Sequence, residues 1–316
     1  MTNPTTKTNT TTAPKKRFQG YHRVMRDRST VVRPTPIEHL DLTSKTIAVI
    51  GGTNGIGRAL AQRALARGAQ VTVVGRTLRD NNSPRLTFVA TDLSSMREAA
   101  RVGAQLPAED YDVVVFTTGI IAAKKREQTG EGIERDLAVS YLNRLAILQQ
   151  ISHRLGTARP SSAPRVRVFV MGSPGNGMLG QPDDLNGLTN YSAMKVHGNT
   201  IAGNEMLALG ANGRFPGPAF FGLRAGMVKT GIRSNILGEG SLTHRVFETA
   251  VGILGQSADS YAKRMVPILF AADLEGKSSV LFSEKARPIL PSRGLDEDHT
   301  ERFMLAAESI LKRALD

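Results

Sequence analysis

Short apolar runs alternate with longer segments of mixed polarity along most of the chain after Thr46. Runs of this length, bounded by turn residues, are typical of strands, and the stretches between them are long enough for helices. The alternation predicts βαβ units around a parallel sheet. Seven strands are predicted, at Thr46–Ile50, Gln70–Val74, Leu86–Ala90, Val113–Phe116, Val166–Met171, Ala219–Leu223 and Ser279–Phe282.

Helices are predicted between these strands and after the last one. In the C-terminal segment, apolar residues from Phe303 to Leu311 recur at helical spacing. We therefore expect an α/β fold with one doubly wound parallel sheet and a C-terminal helix packed against it. The predicted helices cover Gly55–Arg67, about Glu131–Leu155, Tyr191–Leu209, about Ser257–Ala272 and Asp296–Leu315.

Two stretches interrupt the alternation, Pro174–Asn190 and Gly231–Gln256. Each follows a predicted strand, so each leaves the carboxyl edge of the sheet, where open α/β sheets bind their ligands. We expect these stretches to form substrate walls or a lid.

Composition narrows the class of protein. The chain has 316 residues, 40% of them hydrophobic, which is enough for one large domain with extensions. It has no Cys, which excludes disulfides, thiolate metal sites and a cysteine nucleophile. No apolar run is long enough to span a bilayer and no hydrophobic secretory segment is present, so a soluble, cytoplasmic protein is expected.

Much of the positive charge lies near the N-terminus. Residues 1–36 hold eight Lys and Arg against Asp27 alone, and so supply +7 of the net charge of +13. Seven of the first twelve residues are Thr. The segment has little apolar surface to bury, so we expect residues 1–42 to be a disordered basic extension, 43–285 the main domain and 286–316 a helical extension. A solvated tail is the favoured interpretation, with mitochondrial targeting or partner binding as alternatives.

A glycine-rich turn follows the first predicted strand, at Gly51-Gly52-Thr53-Asn54-Gly55-Ile56-Gly57, and leads into a helix. Glycines in turns often serve only the backbone. In a strand-turn-helix setting, however, they allow a pyrophosphate to approach the backbone N–H groups at the helix N-terminus. The turn therefore predicts a dinucleotide site.

The second strand ends at Val74-Gly75-Arg76. Sites for NAD usually place an acidic residue near this point against the ribose hydroxyl, whereas an Arg suits the 2′-phosphate of NADP. No acidic residue occurs at positions 74–78. The sequence therefore predicts NADP(H) as the cofactor.

Tyr191 and Lys195 are four residues apart in a predicted helix, so they are expected on one face. A nearby cation favours the ionised phenol, which would let the pair exchange a proton with a substrate oxygen. Alone, such a pair is more often an ordinary exposed one. Beside Ser173 and the glycine-rich turn, it indicates carbonyl–alcohol chemistry.

These motifs, in this order, resemble the short-chain dehydrogenase/reductase family over residues 44–285. Gly51, Gly55 and Gly57 match its glycine motif, Asp92-Leu93 its adenine contact, Ser173 its serine, and Tyr191 with Lys195 its Tyr-x-x-x-Lys. The resemblance implies a Rossmann-type fold, with Tyr191 as proton donor, Ser173 stabilising the substrate oxygen and Lys195 lowering the pKa of Tyr191. The implied cofactor contacts are Gly51, Thr53, Asn54, Gly55, Ile56, Gly57, Arg76, Asp92, Leu93, Gly119, Tyr191, Lys195, Val228 and Thr230.

Two departures concern proton transfer. The family's Asn-Asn-Ala-Gly reads Phe116-Thr117-Thr118-Gly119 here, and its proton-relay Asn corresponds to Ser140. Ser140 is therefore the fourth candidate catalytic residue, with Asn143, one turn later, as its alternative. The six histidines show no spacing typical of a metal site, and none is predicted.

The sequence thus predicts an NADP(H)-dependent oxidoreductase acting on a carbonyl or secondary alcohol. The alternative is an NADP-binding regulatory or sensor protein with weak turnover. Nucleic-acid binding is not predicted, because the basic N-terminal segment has few aromatic residues. No integral membrane segment is expected, and the resemblance makes a homodimer one expected assembly. A hydrophobic substrate is suggested by Ile120, Ile121, Met178, Leu179, Ile236 and Leu237.

Overall fold

The computed structural model describes residues 23–80, 83–226 and 256–316. Its described strands form one eight-stranded sheet in the order β3-β2-β1-β4-β5-β6-β7-β8. The first seven strands are parallel, and β8 pairs antiparallel with β7. The strands are β1 Thr46–Ile50, β2 Gln70–Gly75, β3 Leu86–Ala90, β4 Val113–Phe116, β5 Arg167–Gly172, β6 Ala219–Arg224, β7 Val280–Phe282 and β8 Pro288–Ile289.

Helices cover both faces of the sheet, which confirms the predicted doubly wound α/β fold. One apolar cluster packs α2, α4, α5 and α7 on one face, and a second packs α1 and α6 on the other. The helices are α1 Gly55–Ala66, α2 Met96–Gln105, α3 Arg135–Leu137, α4 Asn143–Ile151, α5 Ala193–Ala208, α6 Ala258–Leu269 and α7 Glu297–Leu315.

The central strands are buried on both faces. All four residues of β4 are at most 1% exposed. Strands covered by helices on both sides have continuous apolar runs rather than alternating ones. For this reason the predicted bounds of the central strands agree closely with the observed ones.

The long helix predicted over residues 131–155 is not continuous. A π-helical turn, Ala138–Leu142, separates α3 from α4. Asn204 of α5 donates to the Ser140 carbonyl at 2.8 Å, so a side chain from a neighbouring helix satisfies an acceptor within this turn. Single π turns of this kind often occur at functional sites.

Residues 24–42, which the sequence assigned to a disordered extension, make defined contacts with the domain in the structure. Met25 O accepts from Leu290 N at 2.9 Å and Asp27 N donates to Pro288 O at 3.0 Å, so this segment adds a short ladder beside β8. Ile37 and Leu42 are buried against the α1 and α6 side of the sheet. These anchors lie far away in sequence, so local composition did not reveal them. Residues 1–22 lie outside the described residues.

Within the described ranges, no helix is both long and apolar enough to cross a bilayer.

Candidate active site

The chain order of the strands reverses between β1 and β4, which are neighbours in the sheet. Ligands bind at such a reversal, beyond the carboxyl ends of the strands. Gly51 follows β1, Thr117 follows β4 and Ser173 follows β5. The fold therefore brings three of the sequence-predicted segments to one edge of the sheet.

The glycine-rich turn is held tightly against the segment after β4. Gly51 has a φ of +89°, and a Cβ there would lie 2.8 Å from Thr118 N. A Cβ on Gly57 would lie 2.3 Å from Thr117 Oγ1 and 2.4 Å from Gly51 O. Both positions therefore require glycine, one for its backbone conformation and both for close packing.

The N-terminus of α1 has the features that a phosphate requires. Asn54 is its N-cap, but the Asn54 side chain makes no capping hydrogen bond. The first N–H groups of a helix have no partners within the helix, so they are available to an anion. Thr53 lies against Gly75, where a Cβ would be 2.7 Å from Thr53 Oγ1, and Ile56, in the first turn of α1, is buried. These residues fit the pyrophosphate of a dinucleotide.

The adenosine end of the site is defined by the residues after β2 and β3. Arg76 is exposed directly after β2. The first acid beyond it, Asp80, is paired with Arg58 at 2.6 Å and accepts from Gln62 at 2.6 Å. Asp92 is exposed, and its Oδ1 accepts from Ser94 N at 3.0 Å.

Leu93 and Gly119 lie closer to the centre of the site. Leu93 is buried, and its carbonyl accepts from Asn143 Nδ2 at 3.1 Å. Gly119 is half-buried, and a Cβ on it would lie 3.8 Å from Ser140 Oγ. Asn143 also accepts from Thr118 Oγ1 at 3.2 Å and donates to Val139 O at 2.6 Å. The side chain of Asn143 is thus committed to holding these segments together, which disfavours it as the relay group.

Tyr191 lies before α5 rather than on it, which corrects the predicted helix start. The N-cap is Ser192, whose backbone is extended, so Tyr191 and Lys195 do not share a helical face. Tyr191 Oη donates to Ala123 O at 2.5 Å. Because the backbone of Ser192 is extended, the phenol of Tyr191 reaches the segment after β4.

The pKa of Tyr191 is raised to about 12, opposite to the predicted lowering. Burial is the main cause, followed by the negative charges of Glu134, Asp136 and Glu127, which Arg126 partly offsets. The phenol is therefore neutral at physiological pH in this arrangement and carries a proton that it can donate.

Lys195 and Ser173 belong to the same predicted catalytic set as Tyr191. Lys195 lies in the first turn of α5, and its backbone N donates to Ser192 O at 2.9 Å. Both side chains are half-buried, and within the described part of the chain neither has a hydrogen-bond partner. Each can therefore serve a ligand. Val228 and Thr230 lie outside the described residues.

Ser140 is bonded to a buried carboxylate that the sequence did not point to. Its Oγ donates to Asp136 Oδ1 at 2.5 Å and accepts from Ile120 N at 2.9 Å. Asp136 is fully buried and also accepts from Ala122 N at 3.1 Å and from His197 Nδ1 at 2.8 Å. The only sequence signals were the four-residue spacing of Asp136 and Ser140 and the closeness of His197 to Lys195.

Arg144 is a second buried group that sequence reasoning missed. Its guanidinium donates to the carbonyls of Met171 and Thr118, and to Asn204 Oδ1 at 2.8 Å. Burial lowers the pKa of Arg144 to about 9. By bonding to the ends of β4 and β5, Arg144 fixes the spacing of the two segments that carry Thr118 and Ser173.

The predicted apolar wall is divided in the structure. Ile120 and Ile121 are half-buried after β4. Met178 is only 7% exposed and packs near α5, where a Cβ on Gly198 would lie 3.6 Å from its Sδ. Leu179 packs against Gly294. Ile236 and Leu237 lie outside the described residues.

The chain belongs to the short-chain dehydrogenase family. The family model described as short chain dehydrogenase matches residues 45–159. An uncharacterized oxidoreductase of Saccharomyces cerevisiae is 41% identical over 283 residues, which cover 88% of this chain and 92% of the yeast protein. The protein is therefore an oxidoreductase of a family that uses a nicotinamide cofactor.

Solved structures show the same fold. The aldohexose dehydrogenase of Thermoplasma acidophilum has a TM-score of 0.56 at 14% identity and covers 79% of this chain and 94% of its own. A short chain dehydrogenase of Shigella flexneri has a TM-score of 0.55 at 12% identity, covering 80% of this chain and 94% of its own. Likeness at this level of identity concerns the fold and leaves the substrate open.

Proposed function

We propose that this protein is an NADP(H)-dependent oxidoreductase that interconverts a carbonyl and a secondary alcohol on a hydrophobic small molecule. The observation that supports the proposal is that the glycine-rich turn, Ser173 and the segment to which Tyr191 bonds all follow the carboxyl ends of strands. The turn follows β1, Ser173 follows β5, and Tyr191 bonds to Ala123 on the segment after β4.

The preference for NADP(H) is supported by charge at the end of β2. Arg76 is exposed there, and a guanidinium can bond two oxygens of a 2′-phosphate at once. Asp80 does not offer a free carboxylate to the ribose, because Arg58 and Gln62 already bind it. The positive charge of Arg76, with no free carboxylate from Asp80, therefore favours a 2′-phosphate over an unmodified ribose hydroxyl.

A nicotinamide cofactor, when bound, would supply or accept the hydride. Tyr191 then gives its proton to the carbonyl oxygen, a step for which its raised pKa of about 12 keeps it protonated. Its hydroxyl must first leave Ala123 O. In this proposal Ser173 Oγ donates a hydrogen bond to the same oxygen, and the Lys195 ammonium would stabilise the phenolate left behind.

A hydrophobic substrate is supported by the half-buried Ile120 and Ile121 next to Gly119. An apolar wall beside the proton donor would hold the carbon skeleton and keep water from the reacting carbon.

The test is a panel of aliphatic, aromatic and polycyclic ketones assayed with NADPH and with NADH. We expect at least one apolar ketone to be reduced, with a higher kcat/KM for NADPH than for NADH. Reduction of polar sugars or acids alone would contradict the substrate class, and a preference for NADH would contradict the cofactor assignment.

A sensor function is the second candidate, because the hydroxyls of Tyr191 and Ser140 are both engaged by protein groups. A sensor would bind NADPH tightly while the wild type turned over no faster than Tyr191→Phe. Turnover well above that variant would exclude the sensor function.

A further inference from the structure

We propose that Asp136 and His197 are a positioning pair that places Tyr191 and couples its placement to the protonation state of His197. The proposal rests on the proposed carbonyl–alcohol function for its kinetic consequence. Asp136 belongs to α3 and His197 to α5, and Asp136 Oδ2 lies 2.8 Å from His197 Nδ1.

The pair reaches from the interior to solvent. The side chain of Asp136 is fully buried, whereas that of His197 is 20% exposed. Since Asp136 holds Nδ1, Nε2 is the ring nitrogen left to exchange a proton with water. The neutral and protonated forms of a histidine differ by one charge, so a change of protonation at His197 would alter the charge beside Asp136.

The pair is connected to Tyr191 through one short segment, residues 120–123. Ala122 N donates to Asp136 Oδ2, and Ile120 N donates to Ser140 Oγ, which itself donates to Asp136 Oδ1. The carbonyl of the next residue, Ala123, accepts from Tyr191 Oη. The Asp136 carboxylate therefore holds the segment whose next carbonyl accepts from the phenol.

The charged groups around the pair come from three elements. Glu134 precedes α3, Arg144 lies in α4, and Lys195 lies two residues before His197 on α5. Glu134 and Asp136 both act on Tyr191 electrostatically, and Asp136 acts on Arg144. Protonation of His197 would offset the Asp136 charge and so change both the field at Tyr191 and the hydrogen bonds of residues 120–123.

A purely structural role explains these features less well. Three donors already satisfy the Asp136 carboxylate, and a neutral amide would fill the same space at a lower desolvation cost. His197 is a titratable partner that is partly exposed to solvent, so it adds pH sensitivity, which a purely structural bond does not need.

The test uses His197→Asn in the full chain, since an amide keeps a donor to Asp136 but does not titrate. The matched control is His299→Asn on α7, where His299 Nε2 lies 2.7 Å from Leu179 O. Two quantities are followed from about pH 5 to 8. One is the NMR signal of the Tyr191 ring, assigned with Tyr191→Phe, and the other is kcat with NADPH and a reducible ketone.

In the wild type and in His299→Asn, we expect the Tyr191 ring signals and kcat to change together across this range. In His197→Asn both changes should disappear, and Asp136→Asn should change kcat by about 10-fold or more, with the KM for NADPH within about threefold, because it alters the segment that holds the phenol. A Tyr191 signal that still follows pH in His197→Asn would overturn the proposal while leaving the carbonyl–alcohol function intact.

The NMR measurement does not depend on turnover. Two results together would overturn the proposed function but support the positioning pair. The wild type would reduce no ketone, and the pH response of the Tyr191 signal, present in the wild type, would be lost in His197→Asn. If His197→Asn unfolds, as judged by its thermal transition, His197→Gln supplies the same comparison with a longer amide.

Discussion

Glu134 illustrates, at the scale of one residue, how burial changes the chemistry of a side chain. It is fully buried, and its Oε2 accepts from Leu137 N at 2.9 Å, while Oε1 has no partner among the described residues. Burial raises the pKa of Glu134 from 4.5 to about 7. The folded state therefore binds this proton more tightly than the unfolded state does, and the stability that the proton confers is lost as pH rises from about 4.5 to 7.

Glu134→Gln should accordingly raise the free energy of unfolding at pH 8 relative to the wild type, by up to about 3 kcal/mol, with little gain near pH 4. The amide oxygen can still cap Leu137 N. Urea unfolding at both pH values measures the difference. Glu127→Gln, at an exposed carboxylate paired with Arg135, is the control and should show no such pH-dependent gain. An equal effect of Glu134→Gln at both pH values would contradict the raised pKa.

Arg76 carries the prediction for the cofactor. Arg76→Ala should weaken NADPH binding by about 10-fold or more and leave NADH binding within about twofold, because only NADPH has the 2′-phosphate. Arg302→Ala, on the exposed surface of α7, removes the same charge at a remote position and should affect neither cofactor. Titration calorimetry with both cofactors separates the outcomes. Equal loss for NADPH and NADH would show that Arg76 does not contact the phosphate.

At the scale of secondary structure elements, the N-terminal segment behaves as part of the domain. Deletion of residues 1–36 removes the backbone bonds of Met25 and Asp27 to the β8 region and that of Arg33 N to Asp273 at 2.8 Å. At about 1 kcal/mol per bond, the loss approaches 3 kcal/mol, or at least about 5 °C in Tm.

Deletion of residues 1–22 keeps all three of these bonds and serves as the matched control. Thermal unfolding of the two truncated chains should therefore differ clearly. Identical Tm values would mean that the ladder beside β8 does not contribute to stability.

The elements that the sequence revealed are those whose pattern is local. Strands such as β4 are buried on both faces and stand out as apolar runs. Helix α2 was missed because it is short and has Gly103 within it, and β8 because it has only two residues and begins with Pro288. The start of α5 depends on the backbone at Ser192, which no periodicity reports.

In the candidate site, too, the sequence revealed only those residues whose position follows from a local pattern. The glycine-rich turn and Ser173 follow strands directly, so their positions come from the fold. Asp136 and His197 are 61 residues apart, and their contact arises only when α3 packs against α5. Arg144 looks like a surface residue in sequence, but in the structure its buried guanidinium donates to the Met171 carbonyl of β5. Contacts of this kind depend on tertiary packing and leave no spacing signal.

At the scale of the whole molecule, one sheet organises both binding and chemistry. Its amino edge is closed by buried residues such as Tyr111, while its carboxyl edge presents the turn after β1 and the segments after β4 and β5. The proposed hydride transfer and proton donation would both take place at this edge.

The most direct test of this account is the rate of NADPH-dependent ketone reduction by the wild type compared with Tyr191→Phe, with NADPH affinity measured on both. Tyr111→Phe is the matched control, since it removes a phenolic hydroxyl from the opposite edge of the sheet. We predict that Tyr191→Phe lowers kcat by about 100-fold or more with NADPH affinity within about threefold, while Tyr111→Phe retains full turnover. A kcat for Tyr191→Phe within a few-fold of the wild type would contradict the account.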